Sequence, residues 1–154
     1  MRLIALLLLF ASSVTDYSGT WVANIEKSQL GTTPPKSQVM KVEKTGSVTF
    51  LVTIDRVFAD GKEDHQQLTR IYDGKEHAIY ADGKDHPGIP KGATETCTQV
   101  DPLTRHIINK DNGKVVSEID AKMTPDGKTM TSRTTILTPD GQVKEVRAVA
   151  YERQ

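Results

Sequence analysis

The chain has 154 residues and a mass of 17.0 kDa, with 20 Lys+Arg balanced against 20 Asp+Glu and a formal net charge of zero. This length fits one domain, and the balanced charge supplies no simple electrostatic capture of nucleic acid or of an anionic membrane surface. The apolar fraction is 36%, but 10 of the 56 residues in AVILMFWYC fall within residues 1–13; the remaining 46 of 141 are about one-third, lean for a globular domain.

Met1-Arg2 supplies one positive charge, Leu3 to Phe10 is an unbroken apolar run, and Ala11-Ser12-Ser13 follows with small residues. Charged, apolar and small in that order is the pattern of a secretory signal peptide. A membrane-spanning helix needs about 20 apolar residues, so the run predicts an export signal over 1–13, cleaved near Ser13, and one domain over 14–154. No Cys directly follows the run to carry a lipid anchor. The expected location is secreted or periplasmic, without stable membrane insertion. Loss of Arg2 leaves 19 basic against 20 acidic residues, a net charge of −1. Cys97 is the single cysteine and cannot form an intramolecular disulfide; it reads as a small buried residue.

Beyond residue 13 no window keeps a 3.6-residue apolar period. Turn signals recur instead: Thr45-Gly46, Asp60-Gly61, Asp73-Gly74, Asp82-Gly83, Asn112-Gly113, Asp126-Gly127 and Asp140-Gly141. Asp-Gly and Asn-Gly tolerate the positive φ of tight hairpin turns. Between them lie stretches rich in Val, Ile, Thr and Tyr that suit a pleated, half-buried surface. The predicted strands are 18–25, 37–44, 48–58, 64–72, 76–81, 94–100, 104–110, 115–123, 129–138 and 143–152. In the third, Val48, Phe50, Val52 and Ile54 share one face; in the eighth, Val115, Ile119, Ala121 and Met123 do. Ten sequential antiparallel strands form a meander, and closing it into a barrel removes its two open edges. Residues 27–36 form a loop with room for one helical turn. Residues 85–92, with Pro87, Gly88, Pro90 and Gly92, cannot be a strand interior. A closed barrel offers no edge for dimerisation, so a monomer is expected.

The first strand opens Tyr17-Ser18-Gly19-Thr20-Trp21, and the chain closes Tyr151-Glu152-Arg153-Gln154. Gly-x-Trp at the start of a long meander resembles the lipocalin and calycin barrels. With the Asp-Gly-Lys turns, the pattern also resembles small secreted bacterial lipocalin-like proteins of unassigned function. The resemblance implies an all-β, up-and-down barrel of about 8–10 strands, of lipocalin or fatty-acid-binding-protein type. It further implies that Trp21 plugs the closed end with a basic residue packed over it, Arg147 or Arg153. The longer signatures of well-studied lipocalins are absent, so no particular ligand is implied.

Candidate chemistry is sparse. His65, His77, His86 and His106 lack the i, i+2 or i, i+4 spacing that prebuilds a metal face, and neither a metal nor a cofactor is expected. Nucleophile-elbow and complete phosphate-loop motifs are absent. Arg70 shares a face with Leu68 and Tyr72, His77 with Ile79 and Ala81, and His106 with Ile108. Alternation fixes relative but not absolute direction. If they face inward, Phe50, Arg70, Tyr72, His77 and His106 line a cavity suited to a carboxylate or phenolic ligand. The expected function is binding of a small, partly apolar ligand. One alternative is an isomerase or hydrolase using Tyr72 and His77 as acid and base. Another is a plugged barrel acting through its surface in the cell envelope.

Overall fold

The computed structural model describes residues 15–80, 82, 84, 86 and 88–154; the predicted export segment lies outside them. The described chain forms ten strands: β1 (Gly19–Gln29), β2 (Ser37–Lys44), β3 (Thr49–Val57), β4 (Glu63–Ile71), β5 (Glu76–Ala78), β6 (Thr94–Asp101), β7 (Thr104–Asp111), β8 (Lys114–Met123), β9 (Thr129–Leu137) and β10 (Val143–Arg153). They form one antiparallel sheet in the order β4-β3-β2-β1-β10-β9-β8-β7-β6-β5. Each strand pairs with its chain neighbours, except that β1 also pairs with β10 and β4 does not pair with β5.

Local chemistry explains the turns. The Asp60, Asp73, Asp82 and Asp126 carboxylates each accept the backbone N–H two residues on, at 2.9 to 3.1 Å. These are Asx turns, in which the side chain replaces a backbone partner. Gly61, Gly74 and Gly127 follow three of these aspartates with φ between 70° and 83°, where any Cβ is strained. Gly46 is different: its turn closes by backbone bonds to Thr49 without a positive φ.

Regular pairing of β1 with β10 breaks between Asn24 and Gln29. Ser28 donates to the Asn24 carbonyl at 2.6 Å and accepts the Ala150 N–H at 2.9 Å, so side chains replace the missing ladder. The strand therefore continues as a bulge through Gln29, and residues 30–36 carry no helix. At the other end of the meander, β5 has only three residues. Pro90 cannot donate to a ladder, and β4 approaches β6 rather than bonding to β5. The barrel is thus nearly closed. Two unpaired edges remain at the β4–β5 seam, which corrects the expectation of an edgeless barrel.

Alternation divides the interior into a filled end and an open end. Tyr17, Trp21, Val42, Phe50, Val52, Met123 and Met130 pack the filled end. Trp21 is fully buried and donates Nε1–H to the Tyr17 carbonyl at 3.0 Å. The Arg153 guanidinium lies 4.7 Å from the Trp21 ring and donates to the Ser18 carbonyl at 2.6 Å. Tyr17, Phe50 and Tyr72 pack as a triad with ring centroids 4.6 to 5.9 Å apart.

Candidate functional site

Above the aromatic triad the interior is not filled. A cavity of about 510 Å³ runs toward the end opposite Trp21, within the size range of small-molecule sites. Met40, Ile54, Leu68, Ile107, Ile119 and Val149 supply apolar wall; Leu30, Pro35, Ile89 and Pro90 line it from the two long loops. The polar lining has two clusters.

The first cluster is fully connected. Arg56 donates to Gln38 at 2.8 Å and to Asp64 at 2.7 Å, and Gln38 donates in turn to the Tyr151 hydroxyl. The second, beside the triad, is not. Tyr17 and Tyr72 share a hydrogen bond at 3.1 Å. Arg70 Nε stands 3.6 Å from Glu95 Oε2, just beyond hydrogen-bond contact. Arg105 is only 1% exposed and, among the described residues, has no carboxylate within salt-bridge distance. Its guanidinium rests 3.7 Å from the Tyr17 ring, and one nitrogen reaches the Thr15 carbonyl at 3.4 Å. Nε and Nη1 of Arg105, Nε of Arg70 and Oε1 of Glu95 are buried without hydrogen-bond partners.

Burial acts on each group here. It pushes the Tyr17 and Tyr72 hydroxyls above the ordinary tyrosine range. It lifts the Cys97 thiol to about 12, with Glu95 adding to the effect. Burial also lowers Arg105, whereas at Arg70 it is opposed by Glu95, which leaves Arg70 above the ordinary arginine value. The charged lining residues are Arg56, Arg70, Arg105, Lys110 and Arg147 against Asp64 and Glu95, five minus two, or +3. Arg56, Lys110 and Arg147 are paired with Asp64, Glu76 and Glu145, so the charge left without such a partner is Arg70 and Arg105 against Glu95, or +1.

The expected site residues divide. Arg70 and Tyr72 line the cavity, while Phe50 packs beneath it as part of the triad. His77 and His106 are not on the cavity wall. Arg105 and Ile107 point inward on β7, so His106 points outward, where it meets Asp120 at 2.7 Å. His77 stands opposite Glu95 in register, but its imidazole bonds the Asp73 carboxylate at 3.0 Å at the end of the short β5. His65 and His86 pair with Asp55 and Asp82 in the same way. Tyr72 and His77 therefore do not meet as an acid–base pair. Arg147 lines the cavity and pairs with Glu145 at 2.9 Å; the cation over Trp21 is Arg153. Among the described residues, no group of three or more His, Cys, Asp or Glu side chains is placed to hold a metal ion.

Arg105, Glu95 and Tyr17 were not singled out by sequence. The available signal was alternation: Arg105 shares a face with Ile107, and Glu95 with Cys97. Their strands alternate with Thr and His rather than with a clear apolar face, so the inward side was not legible.

Ten antiparallel strands in a nearly closed meander, around a cavity, define a calycin-type, fatty-acid-binding-protein-like β-barrel. No family model matches the sequence, and no curated protein matches it. Among solved structures the fold is similar to the wild-type fluorescent protein UnaG, with a TM-score of 0.61 at 16% identity over 89% of this chain and 96% of that one. Two single-substitution variants of UnaG align with TM-scores of 0.61 and 0.58, at 16% and 14% identity, covering 89% and 88% of this chain and 95% and 94% of theirs. At this identity the likeness is one of fold.

Proposed function

We propose that this protein is an exported binding protein that holds one small, partly apolar ligand in the barrel through an anionic group. The observation that carries this reading is Arg105. A guanidinium 1% exposed, with two unpartnered nitrogens and, among the described residues, no carboxylate within salt-bridge distance, is costly unless something neutralises it. The +1 left by Arg70 and Arg105 against Glu95 agrees with an anion, and the apolar wall with a hydrocarbon or aromatic body. Charge-assisted hydrogen bonds from guanidinium to carboxylate are strong and geometrically specific. Export rests on the charged, apolar, small order of residues 1–13.

Native mass spectrometry of protein purified from its own host tests both parts. The expected result is a chain beginning near residue 14, carrying a small acid that Arg105→Met no longer retains. His77→Ala and His106→Ala should retain it, because both rings lie outside the cavity. A chain that still begins at Met1, or an acid still bound by Arg105→Met, would count against export or against the assigned contact respectively.

A further inference from the structure

Glu95 does not fit a site built for an anion alone. It is 3% exposed, lines the same cavity as Arg70 and Arg105, and has one carboxylate oxygen without any hydrogen-bond partner. Its nearest cation, Arg70, lies 3.6 Å away. The neighbouring Cys97 is a thiol, a weak donor at best. A bare carboxylate ligand would leave this oxygen unsatisfied and add like-charge repulsion. We propose that the ligand head group carries a hydrogen-bond donor beside its anion, a hydroxyl or an ammonium, and that Glu95 selects it. The inference rests on the binding reading above and names the ligand class within it: 2-hydroxy or 2-amino acids with an apolar body.

The charges agree. Arg70 and Arg105 against Glu95 sum to +1, which the carboxylate of a 2-hydroxy acid neutralises, whereas a zwitterionic 2-amino acid leaves one positive charge and places its ammonium against Glu95. The unpartnered atoms agree as well, with donors on the two arginines and a single acceptor on Glu95. A head group with an acceptor and an adjacent donor satisfies both kinds, whereas a fatty carboxylate satisfies only the arginines. Leaving a site's buried polar group unpaired is what gives strong rejection of the analogue that lacks the matching atom.

Calorimetric titration of the full chain with decanoate, 2-hydroxydecanoate and 2-aminodecanoate separates the possibilities. The body is constant across these probes, and only the donor changes. Wild type should bind one or both donor-bearing acids about ten-fold more tightly than decanoate. Glu95→Leu should bind decanoate at least as tightly as wild type and lose the preference. Glu95→Gln keeps a carbonyl acceptor without the charge, and covers the case in which the leucine variant does not fold; it should lose the preference for the ammonium and keep part of that for the hydroxyl. Equal binding of all three acids by wild type would overturn the donor inference and leave the binding reading intact. So would a preference that survives in both variants. Failure of wild type to bind any of the three would overturn the anion-binding reading, and this inference with it.

Discussion

Replacing Arg105 with Met should stabilise the ligand-free protein while it abolishes tight binding. Met keeps the length and apolar stem of the side chain and removes the charge. The losses are a cation–π contact at 3.7 Å and a long hydrogen bond to Thr15 at 3.4 Å, together about 1–2 kcal/mol. The gain is relief from burying a guanidinium that has no carboxylate partner among the described residues, an effective penalty of several kcal/mol. The net expectation is about 1–3 kcal/mol of added stability, or roughly 3 °C in Tm per kcal/mol for a domain of this size. Urea unfolding of the ligand-free protein should show a higher midpoint at unchanged slope. Affinity for an acid ligand should fall about 10- to 100-fold as its charge-assisted hydrogen bonds are lost. A variant destabilised by more than about 1 kcal/mol would show that Arg105 is held by Tyr17 and Thr15 as part of the frame. The buried cation would then be satisfied by the frame itself and would need no ligand to offset it.

Alkaline pH should weaken the fold. The Cys97 thiol is lifted by burial, and then by Glu95, from 9.0 to about 12. The unfolded chain releases this proton near pH 9 while the folded chain keeps it, so stability falls as pH rises through that window, by at most about 1.4 kcal/mol per unit for one group. Buried Tyr17, Tyr72 and Tyr151, all raised chiefly by burial, extend the decline above pH 10. Urea midpoints at pH 8 and 10.5 measure it; Cys97→Ala should flatten the first part, and a midpoint that held steady would contradict the burial of these groups. Arg153→Ala should cost about 1–2 kcal/mol and shift Trp21 emission to the red, since the guanidinium covers that ring; unchanged emission would place the cover elsewhere. Gly61→Ala tests backbone strain alone. Its φ is 83° and a Cβ there would meet nothing within 4 Å, so a loss of about 1 kcal/mol on thermal melting is expected, and no loss would mean that the turn relaxes.

The strand plan was readable because each turn carries its own mechanism. Asp-Gly-Lys fixes a carboxylate, a positive φ and a solvated tip within three residues, independently of the fold. The bounds 37–44 and the strand starts at 76, 94, 104, 129 and 143 fall where the sequence places them, most other boundaries differ by one residue, and β5 ends three residues early. β1 is longer because the Ser28 hydroxyl, bonded to the Asn24 carbonyl and the Ala150 N–H, replaces ladder bonds, which no local pattern reveals. The site was only half legible. Arg70 and Tyr72 follow Leu68 inward on a strand with a clear apolar marker, whereas β6 offers Glu95, Cys97 and Gln99 against three threonines. Polarity cannot assign the inner face where the interior is itself polar. His77 was misleading for another reason. Its backbone register points it toward Glu95, and an aspartate four residues earlier captures the ring.

The pairing of β1 with β10 joins Trp21 to Arg153 across nearly the whole described chain. Each other ladder is a hairpin between consecutive strands and can form as soon as its second strand exists. The β1–β10 ladder requires the last residues. Loop closure over that span is the slow, entropically costly contact. Burial of Trp21 should therefore be a late event in folding, after the local hairpins are in place. Stopped-flow refolding followed by the single tryptophan would report the closing of the barrel itself.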